Sequence, residues 1–214
     1  MPEASPVAVE IKKLLQISPV TERYEYLYEQ GVMLLYGEVN PEMMLNFFIN
    51  SVAFAKRNGN RKPIWVVLYS PGGYFDDGFG IYDTIRALVN SGISVNTVGL
   101  GDVSSMAVCI LQAGSRRYAM PNTQFVVHQG RSNDGPDMKE INEQKEAIRN
   151  FDRLNDRILT VIAQRIGMSL KDIKAHTRKK DRLLIGEEAL TFGDNGLVDE
   201  IVSSFPFVPL INNS

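Results

Sequence analysis

Cysteine, histidine and tryptophan are nearly missing from this chain, which holds one Cys, two His and one Trp in 214 residues. A lone thiol, Cys109, excludes an intramolecular disulfide framework and suits a reducing compartment. So few imidazoles and thiols leave no ordinary zinc ligand set, and no metal site is expected. Long apolar runs are lacking too, with nothing near the ~18 residues that would span a bilayer. Neither sign of charge dominates. With 23 basic and 25 acidic residues the net charge is −2, which gives no footprint for nucleic acid or a membrane surface. The N-terminal MPEASPVAVEIKK has no charged-then-apolar secretory pattern. The expectation is a cytoplasmic or organelle-interior protein of one domain, long enough for a full core.

What is present reads as alternating strands and helices. Residues 1–30, punctuated by Pro2, Pro6 and Pro19 and carrying Tyr24, Tyr26 and Tyr28, read as an arm. Val32–Tyr36 is a β-type run, and from Pro41 the residues Met44, Phe47, Phe48, Val52 and Ala55 recur at helical spacing. Pro63–Tyr69 is an unbroken apolar strand of the doubly buried kind, followed by Ser70-Pro71-Gly72-Gly73 and a helix through Ile81, Ile85 and Leu88. Ile93–Leu100 is the next strand, and Ala107–Ala113 a small-residue helix. Gln124–His128 is a short strand, and 130–136 a polar loop.

A long helix is expected over about 137–167, with the apolar stripe Ile148, Phe151, Leu154, Ile158, Val161 and Ile162. A second helix starts at a Ser169 cap, a third covers 185–192, and a last strand surrounds Ile201 before the tail 204–214. The pattern predicts an α/β layered fold with right-handed crossovers.

The stretch Gly101-Asp102-Val103-Ser104-Ser105-Met106-Ala107 sits between a strand and a helix. A serine there can expose its hydroxyl beside the unpaired first amides of the helix, which supplies a nucleophile and half of an oxyanion hole. A Ser-Ser pair in that place is more often a simple N-cap. Ser70-Pro71-Gly72-Gly73 is a tight turn, or a glycine amide free to approach an oxyanion. His128 is a hydrogen-bonded core-edge residue, or a general base. Asp181, within Arg178-Lys179-Lys180-Asp181-Arg182, belongs to a solvated charged face, or orients the histidine. Singly, each bland alternative is the better one. Jointly, a serine, a histidine and an aspartate at element edges of one α/β domain form a pattern, in the chain order serine, histidine, aspartate. Their chain order differs from that of the α/β-hydrolases, and no G-x-S-x-G elbow is present.

The blocks VVLYSPGGYFDDGFGIYDTI, GDVSSMA, RRYAMPNTQFVVHQG, HTRKKDRLL and GLVDEIV, taken together, resemble the ClpP family, the proteolytic subunit of the Clp protease, over roughly residues 30–203. The resemblance puts the nucleophile on Ser105, the general base on His128, the orienting acid on Asp181 and the oxyanion amides on Gly73 and Met106. His176 has no counterpart role and is expected to face solvent. The family fold is crotonase-like α/β, a head of β-α repeats with a projecting helical handle, here matched to about 137–167. The implied divisions are an arm over 1–30, a peptidase domain over 31–203 and a tail over 204–214.

The resemblance further implies stacked heptameric rings, unfolded polypeptide substrates and a hexameric AAA+ Clp ATPase of the ClpX, ClpA or ClpC type. ATP would be used by that partner, so no cofactor is expected here. The chain departs from the family pattern in several places, among them the 130–136 loop, which lacks paired glycines, and Asp76-Asp77 after the Gly-Gly turn. Val103-Ser104 stand where two alanines are common, Gly130 stands where a proline follows His-Gln, and the arm lacks the usual Pro-Met. Two alternatives remain: a non-catalytic ring subunit that co-assembles with another ClpP-like chain, and an acyl-CoA hydratase or isomerase on the crotonase fold. The filled Ser-His-Asp set argues against both.

Overall fold

The computed structural model describes Tyr24 and residues 26–130, 141–178 and 181–208. The elements, in chain order, are β1 (Val32–Tyr36), α1 (Pro41–Asn58), β2 (Ile64–Ser70), α2 (Phe75–Asn90), β3 (Val95–Ser104), α3 (Met106–Leu111), β4 (Arg117–Ala119) and β5 (Gln124–Val127). Then follow α4 (Ile141–Ile166), α5 (Leu170–Thr177), β6 (Arg182–Ile185), a 3₁₀ turn over Gly186–Leu190 and β7 (Glu200–Ile201). Most of the expected arm, the 131–136 loop and the start of the expected long helix lie outside the described residues.

Local chemistry sets the element starts. Asn40 caps α1 by accepting from Met43 N–H at 2.9 Å, and Pro41 occupies the first turn, where its missing N–H costs nothing. Ser169 caps α5 in the expected way, accepting from Asp172 N–H at 3.1 Å. β2 is hydrophobic along its length because β1 and β3 flank it in parallel and both its faces are covered.

The sheet is mixed. β1, β2, β3, β4 and β7 run parallel in that spatial order, while β5 branches from the far end of β3 and pairs antiparallel with β6. β3 makes this fork possible by its length: residues 97–99 pair with β4, and residues 102–104 pair with β5. Opposite the fork, Leu68 pairs with Gly99 but Ser70 with Val103, so β3 bulges against β2. Such bulges re-aim the end of a strand. The main core lies on the helix-covered face around Ile64, Leu68, Ile85, Val103, Ile110 and Phe125. A smaller cluster of Val32, Val67, Val98 and Tyr118 covers the other face, where Trp65 packs on Tyr118 and Phe207.

Several expectations are corrected here. The strand expected to stop at Leu100 continues to Ser104, carried past the bulge by pairing with β5. In α1, Met44, Phe47 and Ala55 face inward as expected, but Phe48 and Val52 are exposed. This helix is apolar on two sides, so its sequence alone does not select the buried one. In α4 the buried stripe is Ile158, Leu159, Ile162, Ala163 and Ile166, whereas Ile148 is 62% exposed. The α/β class stands as read. No helix among the described residues is long and apolar enough to cross a membrane.

Candidate active site

Ser105 leaves β3 with φ 56° and ψ −124°, the one non-glycine residue with positive φ among those described. Such a conformation costs about 1–3 kcal/mol and persists only where neighbours over-determine it. Here Ser105 N–H donates to Val126 O at 2.8 Å, and Ser105 O accepts from Val108 N–H at 3.0 Å. Ser105 occupies the N-cap position of α3, yet its side chain makes no capping hydrogen bond. The simple N-cap reading therefore does not describe it. Nor does it describe Ser104, whose hydroxyl donates to Asp102 Oδ1 at 2.5 Å. The backbone has the sharp strand-to-helix turn known from nucleophile elbows, reached without their glycine motif.

The Gly-Gly turn lies against this one. A Cβ on Gly72 would sit 2.6 Å from Ser105 Cβ and 2.9 Å from Met106 N. Gly73 has φ 152° and bridges to Val39, and a methyl group there would be driven into the Val39 carbonyl. Val39 N–H donates to Gly72 O and Tyr74 N–H to Val39 O, whereas the Gly73 amide finds no acceptor among the described residues. Met106 is the first residue of α3, so its N–H has no intrahelical acceptor. Gly73→Ala keeps the amide but is expected to displace it from the Ser105 turn, because the added methyl group drives the turn away from Val39. Steady-state kinetics beside a melting curve would separate that from simple unfolding.

Strand register brings the other two residues to the same edge. β3 and β5 pair with Ser104 beside Val126, so Ser105 emerges next to the last residues of β5. β5 and β6 pair antiparallel with Val127 opposite Arg182. His128 directly follows β5 and Asp181 directly precedes β6, so the two flank this last pair. Ser105 and His128 are half-buried, and Asp181 is exposed. His128 Nδ1 lies 2.8 Å from Gln129 O. A carbonyl oxygen only accepts, so this contact is a hydrogen bond when Nδ1 carries a proton, and in the neutral ring that tautomer leaves Nε2 as the acceptor.

The Clp protease family profile matches residues 17–205. Two curated relatives are the ATP-dependent Clp protease proteolytic subunit 2 of Chlamydia trachomatis serovar D and of serovar A. Each is 30% identical over 183 residues, which are 85% of this chain and 85% of theirs. The chain belongs to the Clp protease family. It is a ClpP-family proteolytic subunit by descent, and peptidase chemistry is what that membership implies.

Within this family frame, two residues near the site escaped the sequence reading. Asp102 holds the Ser104 hydroxyl, and in an extended strand their i, i+2 spacing was the available signal. Asn155 is 7% exposed and accepts from Gly130 N–H at 2.7 Å. As a polar residue between Phe151 and Ile158 on an apolar helix stripe, it too was visible as an exception. Other features lie outside the chemistry. Cys109 is fully buried, and burial pushes its thiol well up, so it is no competing nucleophile. His176 is exposed and edge-on to Phe192 at 5.8 Å. A cleft of about 650 Å³ opens between β1 and α1, lined by Tyr28, Tyr36, Glu38 and Phe47, and none of the candidate catalytic residues lines it.

Proposed function

We propose that the chain is a serine endopeptidase subunit of a self-compartmentalised ring protease that degrades unfolded proteins and peptides. The observation that supports this most is the shared strand edge: a strained, uncapped Ser105 beside β5, with His128 and Asp181 flanking the last β5–β6 pair. In the proposed reaction Ser105 Oγ attacks the scissile carbonyl carbon while His128 Nε2 takes its proton. The amides of Gly73 and Met106 bind the oxyanion. Asp181 stabilises the imidazolium. The proton then passes to the leaving amine, and water, activated by the same histidine, releases the acyl group from Ser105.

The same reading assigns the peptidase domain to 31–203, with an arm before it and a tail after it. It makes the working form a cytoplasmic or organelle-interior stack of two heptameric rings fed by an AAA+ Clp ATPase, which alone uses ATP. The apolar stripe that α1 leaves exposed supports association. Leu45, Phe48, Ile49 and Val52 are spaced to share one helix face and are 37–53% exposed. Ile49→Glu is expected to reduce the particle mass measured by light scattering, because a charge buried between subunits carries a desolvation cost.

Hydrolysis of a short fluorogenic peptide, with particle mass determined in the same buffer, tests the proposal. A large particle with turnover, and fluorophosphonate labelling confined to Ser105, would support it. An assembled particle that neither turns over nor labels would favour the non-catalytic, co-assembling subunit.

A further inference from the structure

We propose that Asn155, on α4, is a positioning residue for His128, acting through the single peptide group that joins Gln129 to Gly130. The inference rests on the reading of His128 as general base. The N–H of that peptide, on Gly130, donates to Asn155 Oδ1 at 2.7 Å. Its carbonyl, on Gln129, faces His128 Nδ1 at 2.8 Å. The amide can only donate and the carbonyl can only accept, so the direction of both bonds is fixed along the relay. Nδ1 is thereby the protonated nitrogen, and donation at the N–H polarises the carbonyl that receives it.

The surroundings leave the peptide little freedom. Asn155 is 7% exposed, and it lies one helical turn from both Phe151 and Ile158. Phe151 stacks at a tilt on Phe75 with centroids 5.5 Å apart. These two rings close over Gly130, where a Cβ would come within 2.6 Å of Phe75 Cζ and 3.0 Å of Phe151 Cζ. Any side chain at 130 would push the peptide off the helix, and a proline would also remove the N–H. This gives a physical reason for glycine at the place where the family pattern has proline: the loop after the histidine is held by a hydrogen bond from α4 and not by a ring. The imidazole consequently has an orienting acceptor in the main chain, next to it in sequence.

The test combines kinetics with a spectroscopic readout on the assembled full-length chain. Asn155→Ala is expected to lower kcat on the order of a hundredfold, the scale of an ångström-sized misplacement, with KM nearly unchanged. Asn155→Asp keeps an acceptor at the same reach and is expected to restore most of kcat. Asn155→Leu, similar in volume but without an acceptor, should behave as the alanine variant and serves if that one folds poorly.

Independently, histidine-¹⁵N solid-state spectra contain only two imidazoles, His128 and the exposed His176. The wild-type His128 signal is expected in the Nδ1–H form, and in Asn155→Ala it should move toward Nε2–H. Unchanged kcat and an unchanged His128 tautomer in both Asn155→Ala and Asn155→Leu would overturn the proposal. If the wild type shows no Ser105-dependent hydrolysis, the peptidase reading fails on its own. The imidazole signals then still decide whether Asn155 holds His128.

Discussion

Ser105→Ala is expected to abolish peptide hydrolysis, a loss on the order of 10⁶-fold in kcat, without lowering the melting temperature. The two halves of this prediction have different physical origins. The kinetic half follows from the proposed role of the Ser105 hydroxyl as the atom that forms the acyl-enzyme. The stability half follows from the N-cap geometry: the Ser105 side chain makes no capping hydrogen bond, so its removal leaves no helix amide newly unsatisfied. Alanine keeps the φ of 56° and its cost. Ser105→Gly relieves that cost and is expected to raise stability by up to about 1 kcal/mol while being equally inactive. A more stable, inactive glycine variant would identify the strain as a price of presenting the hydroxyl. Hydrolysis that survives in the alanine variant would remove Ser105 from the mechanism.

The sequence made the framework of this site legible and left its joints obscure. Strand β2 announced itself by seven consecutive residues that pack on both faces, and Ser105 by its position between a strand and a helix. Strands β4 and β6 did not. β4 is three residues long with an arginine at its head, and β6 follows a run of charge, so neither carries a periodicity of its own. Their existence depends on partners far along the chain, β3 and β7 for one and β5 for the other. For that reason the pairing of β5 with β6, whose last pair is flanked by His128 and Asp181, was not legible in the sequence. The sidedness of α1 was unreadable for a related reason: two of its faces are apolar, and the sheet covers one. The role of Gly130 needed the structure as well, because the aromatic lid and the Asn155 acceptor come from two other elements.

The β4 arginine also carries the largest expected effect on stability. Arg117 is 2% exposed, and all three guanidinium nitrogens are occupied. Nε and Nη2 reach Asp199 Oδ1, Nη1 reaches Gln112 Oε1 at 2.7 Å and Gly196 O at 2.9 Å, and Nη2 also reaches Asn195 O at 3.2 Å. The main chain repeats the pairing, with Arg117 N–H on Asp199 Oδ2 and Asp199 N–H on Arg117 O, both at 2.7 Å. One side chain thus ties the end of α3, the 195–196 turn and the approach to β7. Arg117→Met would leave the carbonyls and the Asp199 carboxylate without these donors, and is expected to cost about 3–5 kcal/mol. For a chain of this size that corresponds to a melting temperature lower by about 6–20 °C. Arg117→Lys should recover only part, since an ammonium cannot reproduce the fork.

The pH dependence gives a second, independent check. Burial alone would push the Asp199 carboxyl up, but hydrogen bonds from the Arg117 side chain and amide, with the charges of Arg117 and Arg165, hold it below the ordinary range. A carboxylate depressed in the folded state stabilises the fold above its unfolded pKa near 4, and that contribution fades as pH falls through the lower native value. In Arg117→Met most of the depression is gone and burial is less opposed, so the same acidification costs the variant less. The stability gap between wild type and variant is therefore expected to narrow from pH 7 toward pH 3 in denaturant titrations. A gap independent of pH would mean that Arg117 stabilises the fold by packing and carbonyl contacts, without its charge acting on Asp199.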